Sequence, residues 1–172
     1  MLNAEISLLK SQVNPHFLFN TLNSIYSLAN KRSEKTANAI VRLSNLIRYM
    51  LYDADKEMVS LEQEIEYLNN YIQLQKLRLY NYIDIHFDIE GETEGITIAP
   101  MIFIPFVENA FKHGIDDSKK SFINIILKVT DIDIEFKVEN SISSVTGHSK
   151  EKTSGIGIKN VKRRLNLLYP DK

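Results

Sequence analysis

Between residues 2 and 31, apolar side chains fall at Leu2, Ile6, Leu9, Val13, Phe17, Leu18, Ile25 and Leu28. That is the three-to-four-residue spacing of an amphipathic helix. Pro15 interrupts it. A proline ring inside a helix removes one hydrogen bond and clashes with the preceding turn, at a cost of about 3 kcal/mol. The expectation is a freed carbonyl at Ser11 and a bend just before His16. Residues 31–35 form a charged turn, after which Ile40, Leu43, Ile47 and Met50 put a second helix on one stripe. The pattern breaks over residues 53–57. Ser60 and Gln63 then have the spacing of a capping box, opening a third helix along Leu61, Ile65, Leu68 and Ile72. The first two runs predict an antiparallel hairpin. Its stripes suit pairing with a second copy into a four-helix bundle, and a monomeric helical lid on the next domain is the alternative.

From residue 81 the period changes. Ile83, Ile85, Phe87 and Ile89 alternate with polar residues, as in a half-buried strand. An acidic turn follows at 91–95, and Pro100 and Pro105 frame a helix expected over 101–111, beginning near Ala99 or Pro100. Residues 122–129 and 132–138 read as a β-hairpin turning at Thr130-Asp131. The polar stretch 141–154 is too long for a routine connection and is expected to be a mobile loop. Gly155 and Gly157 then open a last helix running through Leu168. The fold class is α+β: a helical hairpin followed by a sandwich of one sheet and a helical layer. The tyrosines at 67, 71, 80 and 82 are expected to pack the third helix against that sheet domain.

Composition removes several functions. With 21 basic and 22 acidic residues the chain lacks the positive charge of a phosphate-neutralising nucleic-acid binder. The absence of cysteine excludes disulfides, thiolate nucleophiles and zinc–thiolate centres. No apolar run approaches the roughly 20 residues that span a bilayer.

Three blocks carry chemistry. Asn14-Pro-His-Phe-Leu-Phe-Asn20 presents a histidine at a locally costly point of a helix. Pro105-Phe-Val-Glu-Asn-Ala-Phe-Lys-His-Gly114 sets Glu108, Asn109, Lys112 and His113 on a helix whose Phe106, Val107, Ala110 and Phe111 belong to the core. Asn109 and His113 share a face at i, i+4. Glu and Asn oxygens suit a hard cation such as Mg²⁺, and Lys112 suits a phosphate. A solvated polar face explains any one of these residues alone. Ser154-Gly-Ile-Gly-Ile-Lys-Asn160 offers two glycines before a helix N-terminus, a phosphate cradle or an ordinary turn.

In this order and spacing the blocks resemble the LytS-type sensor histidine kinases. Asn14–Asn20, continued by Leu22-Asn-Ser-Ile25, resembles their phosphoacceptor box. Pro105–Gly114 resembles the N-box of the GHKL ATPases, and Ser154–Asn160 their glycine box, with Arg164-Leu165 following. The resemblance covers nearly the whole chain. It implies residues 1–58 as dimerisation and phosphotransfer helices, 59–80 as a connecting helix and 81–172 as an ATP-binding domain, an α/β sandwich with a mixed sheet and helices on one face, lacking its last strands. It further implies ATP-dependent autophosphorylation of His16 and transfer to an aspartate of a response regulator, with the LytTR type one class that fits. Asn109 would hold Mg²⁺, Lys112 and His113 would lie near the phosphates, and Gly155 and Gly157 would let a lid close. Glu108 would polarise water or assist the metal shell. The implied protein is a homodimer, the cytoplasmic portion of a membrane sensor, joined to the membrane through segments outside this chain.

Three departures qualify the resemblance. Phe17 stands where many histidine kinases have an acidic proton acceptor, so the base is not identified; Asn20, one turn on, is placed to orient the ring. Asn140 stands where the adenine-binding aspartate belongs, without the glycines of that box. The chain also stops where closing strands normally follow. The alternative function is a catalytically degenerate dimerisation and signalling scaffold of the same fold. A superfamily ATPase or protein-serine kinase has no use for the His16 helix.

Overall fold

The structure is a computed structural model, and it describes residues 15–79, 83–115, 120–142, 158, 161–163, 165 and 166. In chain order it holds α1 (Pro15–Asn30), α2 (Lys35–Tyr52), β1 (Val59–Ser60), α3 (Leu61–Arg78), β2 (Ile83–Glu90), β3 (Thr97–Ile98), α4 (Ile104–His113), β4 (Ser121–Val129) and β5 (Ile134–Asn140). Residues 158, 161–163, 165 and 166 are helical. The chain is α+β, helices first and then a sheet, as the periodicity predicts, and the sheet is mixed, as the family resemblance implies. It divides into two compact units, residues 1–57 with 65–80 and residues 58–64 with 81–172.

The first unit is built on the α1–α2 hairpin, closed by a short turn in which Arg32 takes a left-handed φ of 51°. Pro15 opens α1, where a missing N–H costs little; the expected bend at Ser11 lies outside the described residues. The buried stripe of α2 is Ala39, Leu43, Leu46, Tyr49 and Met50. Ile40, expected on that stripe, is exposed. Its helix carries apolar residues on two faces, so the 3.6-residue period fits either. Residues 65–78 of α3 pack on the hairpin: Phe17 stacks on Tyr71 with ring centroids 4.7 Å apart, and Tyr49 meets Tyr67 at 4.7 Å. Tyr67 and Tyr71 thus pack within the helical unit. Tyr80 and Tyr82 lie outside the described residues. Buried Asn70 accepts from Arg42 Nη1 at 3.1 Å.

The second unit starts at the beginning of α3. The capping box forms reciprocally: Ser60 N–H donates to Gln63 Oε1 at 3.1 Å and Gln63 N–H to Ser60 Oγ at 3.2 Å. β1 pairs antiparallel with β3 through Val59↔Ile98 and Ser60↔Thr97. The main sheet has the order β2-β4-β5, with β2 parallel and β5 antiparallel to β4. A parallel pair needs a crossover, and this one contains α4. Ile123, Ile125, Leu127 and Val129 alternate into the core, and α4 covers β4 and β5 with Ile104, Val107, Ala110 and Phe111. Phe136 of β5 meets Phe103 at 4.5 Å and Phe106 at 6.2 Å. The helix starts later than expected, because Met101 has φ 61° and no helix can run through it; Pro105 instead occupies the first turn. The β4–β5 turn spans 130–133, where Thr130 N–H donates to Asp133 O at 2.9 Å, so β5 begins two residues after its expected start.

Candidate active site

His16 is the second residue of α1 and is exposed. The next residue faces the other way: Phe17 is 5% exposed, stacked on Tyr71, whose hydroxyl accepts from Gln75 Nε2 at 2.7 Å. Successive helical residues diverge by about 100° around the axis, so a side chain at 17 points into the core while that at 16 points to solvent. The missing acid at this position is thus a geometric matter. Phe17 is an anchor of the helical unit.

Asn20 is on the same face one turn later. Its Nδ2 lies 3.2 Å from His16 Nδ1 and 3.1 Å from His16 Nε2. Near-equal distances mean that the amide straddles the imidazole; a donor aimed along one in-plane lone pair would stand much nearer one nitrogen. Asn20 therefore steadies the ring and leaves the in-plane direction of each nitrogen open to a reacting group.

On α4 the apolar residues Val107, Ala110 and Phe111 turn inward. Glu108 and Asn109 are consequently half-buried, and Lys112 and His113 are exposed in the last turn. Gly114 caps the helix, its N–H donating to Ala110 O at 2.7 Å. A Cβ there would meet Asn140 Cβ at 2.6 Å and Asn140 Nδ2 at 2.9 Å. The end of α4 and the last residue of β5 are brought together by this glycine, so Asn140 and the Glu108–His113 segment share one end of the sheet unit. Asn140 Nδ2 donates to Ser141 O at 2.7 Å, which leaves Oδ1 as the acceptor for another group. Gly155 and Gly157 lie outside the described residues.

Among the described residues no three His, Cys, Asp or Glu side chains converge as metal ligands. The side-chain oxygens of Glu108 and Asn109 are of the kind a hard cation such as Mg²⁺ takes. His86 is exposed beside Asp84, Nε2 to Oδ1 3.0 Å, on the outer face of the sheet. Reading the sequence missed Glu64, Tyr71 and Gly114 as residues that shape these sites. The available signal for Glu64 was a charge on the apolar stripe of α3, at i+3 from Leu61 and i−4 from Leu68.

Comparison with known proteins finds relatives of this chain. Residues 4–83 match the family model described as Histidine kinase. The chain is 31% identical to Sensor protein LytS of Staphylococcus saprophyticus, over 97% of this chain and 30% of the relative. It is 33% identical to Sensor protein LytS of Streptococcus mutans, over 96% of this chain and 30% of the relative. With the Sensor protein LytS of Bacillus subtilis it shares 38% identity over 65% of this chain and 19% of the relative. The chain thus spans under a third of the length of these curated relatives. No helix among the described residues is long and apolar enough to cross a membrane. A family match that covers the His16 helix, and relatives aligned along nearly the whole chain, identify it as a LytS-type member of the histidine kinase family.

Proposed function

We propose that the chain is the kinase core of a two-component sensor, in which His16 takes the γ-phosphoryl group of ATP and passes it to an aspartate of a response regulator. The observation that carries this reading is the exposed His16 imidazole, steadied across its ring by Asn20 on a helix locked by Phe17. A neutral ring nitrogen attacks the γ-phosphorus, the bond to the bridging oxygen breaks, ADP departs with that oxygen, and the ring loses its N–H proton to solvent or a partner base. Residues 81–172 would hold the nucleotide. Asn109 would hold Mg²⁺ with Glu108 assisting, Lys112 and His113 would meet the phosphates, Asn140 Oδ1 would accept from the adenine amino group, and Gly155 and Gly157 of the sequence would serve lid closure. Mg²⁺, when bound, supplies charge neutralisation; positioning is left to the protein's own groups.

Exposed Phe19, Leu22 and Tyr26 make an apolar stripe along α1, and Ile40 and Leu51 extend such a surface on α2. A second copy is the occupant that fits, giving a homodimeric four-helix bundle. The parent protein would reach the membrane through segments outside this chain, leaving these residues on the cytoplasmic side. Incubation of the parent protein with γ-labelled ATP and Mg²⁺ tests the reading beside His16→Gln. Acid-labile, base-stable label in the wild type alone is expected. Absence of label together with absence of nucleotide binding would leave a degenerate signalling scaffold.

A further inference from the structure

We infer that Glu64 is a positioning residue for the helix that carries Asn109, acting through the backbone of Met101. Glu64 has no exposed surface, and its Oε1 accepts the Met101 N–H at 2.7 Å. Withdrawing a carboxylate from water is costly unless it is hydrogen-bonded, so a helix that needed only an apolar face here would carry leucine. Met101 is itself costly: at φ 61° it occupies the left-handed region that side-chain-bearing residues seldom enter. The two unfavourable features meet in one hydrogen bond.

Residues 96–101 are fastened to residues 59–64 at three successive points. Leu61 N–H donates to Ile96 O at 2.9 Å, Ser60 and Val59 pair with Thr97 and Ile98, and Glu64 takes the Met101 N–H. The first two bring the chain alongside α3. The third sets the direction in which it leaves, three residues before α4 begins. The N-cap of α4, Phe103, makes no side-chain cap hydrogen bond, so the helix does not fix its own entry. The Met101 turn does so, and Glu64 holds the turn. The functional part of this inference rests on α4 being the nucleotide helix; its geometric part does not.

The test compares the full-length protein with Glu64→Ala, Glu64→Gln and the double variant Glu64→Ala/Met101→Gly. Amide hydrogen exchange over residues 104–113, affinity for a non-hydrolysable ATP analogue and thermal unfolding are read together. Glu64→Ala should speed exchange across α4 and weaken analogue binding by roughly tenfold, the worth of a hydrogen bond to a charged group. Met101→Gly in that background should restore most of both, because glycine enters positive φ without a side-chain penalty. Glu64→Gln keeps an acceptor and should remain within about threefold of wild type. A folded Glu64→Ala with unchanged exchange, or a double variant no better than the single, overturns the proposal, since a purely structural loss would not be rescued at Met101. Should Glu64→Ala not fold, Met101→Val must reproduce the faster exchange with the carboxylate untouched; normal exchange there also overturns it. If the wild type does not bind the analogue, the nucleotide reading of α4 fails, and the exchange data still decide the role of Glu64.

Discussion

A β-carbon placed on Gly114 would stand 2.6 Å from the β-carbon of Asn140 and 2.6 Å from the carbonyl oxygen of Ala110. Gly114 has an ordinary φ of −91°, so space and not backbone freedom requires the glycine. Gly114→Ala must push the end of α4 off β5. The expected cost is about 1–3 kcal/mol, as for an overpacked core, accompanied by weaker nucleotide binding. Thermal unfolding and calorimetry with an ATP analogue measure the two effects; an alanine variant as stable and as tightly binding as wild type would contradict the contact.

Phe17 decides what an acidic residue could do beside His16. With its ring stacked on Tyr71 and its side chain in the core, Phe17→Glu does not install a base. It removes a buried aromatic and inserts a charge, and is expected to destabilise the helical unit by at least about 3 kcal/mol. Circular dichroism melts would show this, and phosphorylation of His16 should fall, not rise.

Thr21 lies one turn beyond Phe17, fully buried, with no hydrogen-bond partner for its hydroxyl among the described residues. A desolvated hydroxyl of this kind costs about 1–3 kcal/mol. Thr21→Val keeps the shape and removes that cost, so its melting temperature should equal or exceed that of the wild type. A clear drop would mean that the hydroxyl is used.

The α1 stripe should govern association. Leu22 is 52% and Tyr26 69% exposed, so replacing both with aspartate hardly touches the core of one chain. Sedimentation should change from dimer to monomer while helix content is kept. A dimer that survives the double substitution would place the interface elsewhere.

Local signals made much of the fold legible. Ser60 and Gln63 announce the start of α3 because both halves of the capping box lie within four residues. The alternation of β4 is likewise a local pattern. What escaped the sequence depends on distant partners. Pro100 looked like a helix start, yet the left-handed Met101 beside it is held by Glu64, far back in the chain. β1 and β3 are two residues each, too short to show a period. Ile40 and Tyr71 sit on helices with more than one apolar face, and only packing chooses between them. For the candidate site, residue types and order were readable, including the i, i+4 pair His16 and Asn20. The inward direction of Phe17 and the Gly114–Asn140 approach were not.

The parallel pairing of β2 with β4 bears on folding order. The β4–β5 hairpin closes through a short turn and can form early, whereas Ile83 reaches Ser121 only after the whole crossover has been gathered in. The helix bearing Asn109 lies inside that crossover. Nucleotide binding should thus be among the last properties a refolding chain regains, and a chain paused short of β4 would expose α4 with no sheet to cover.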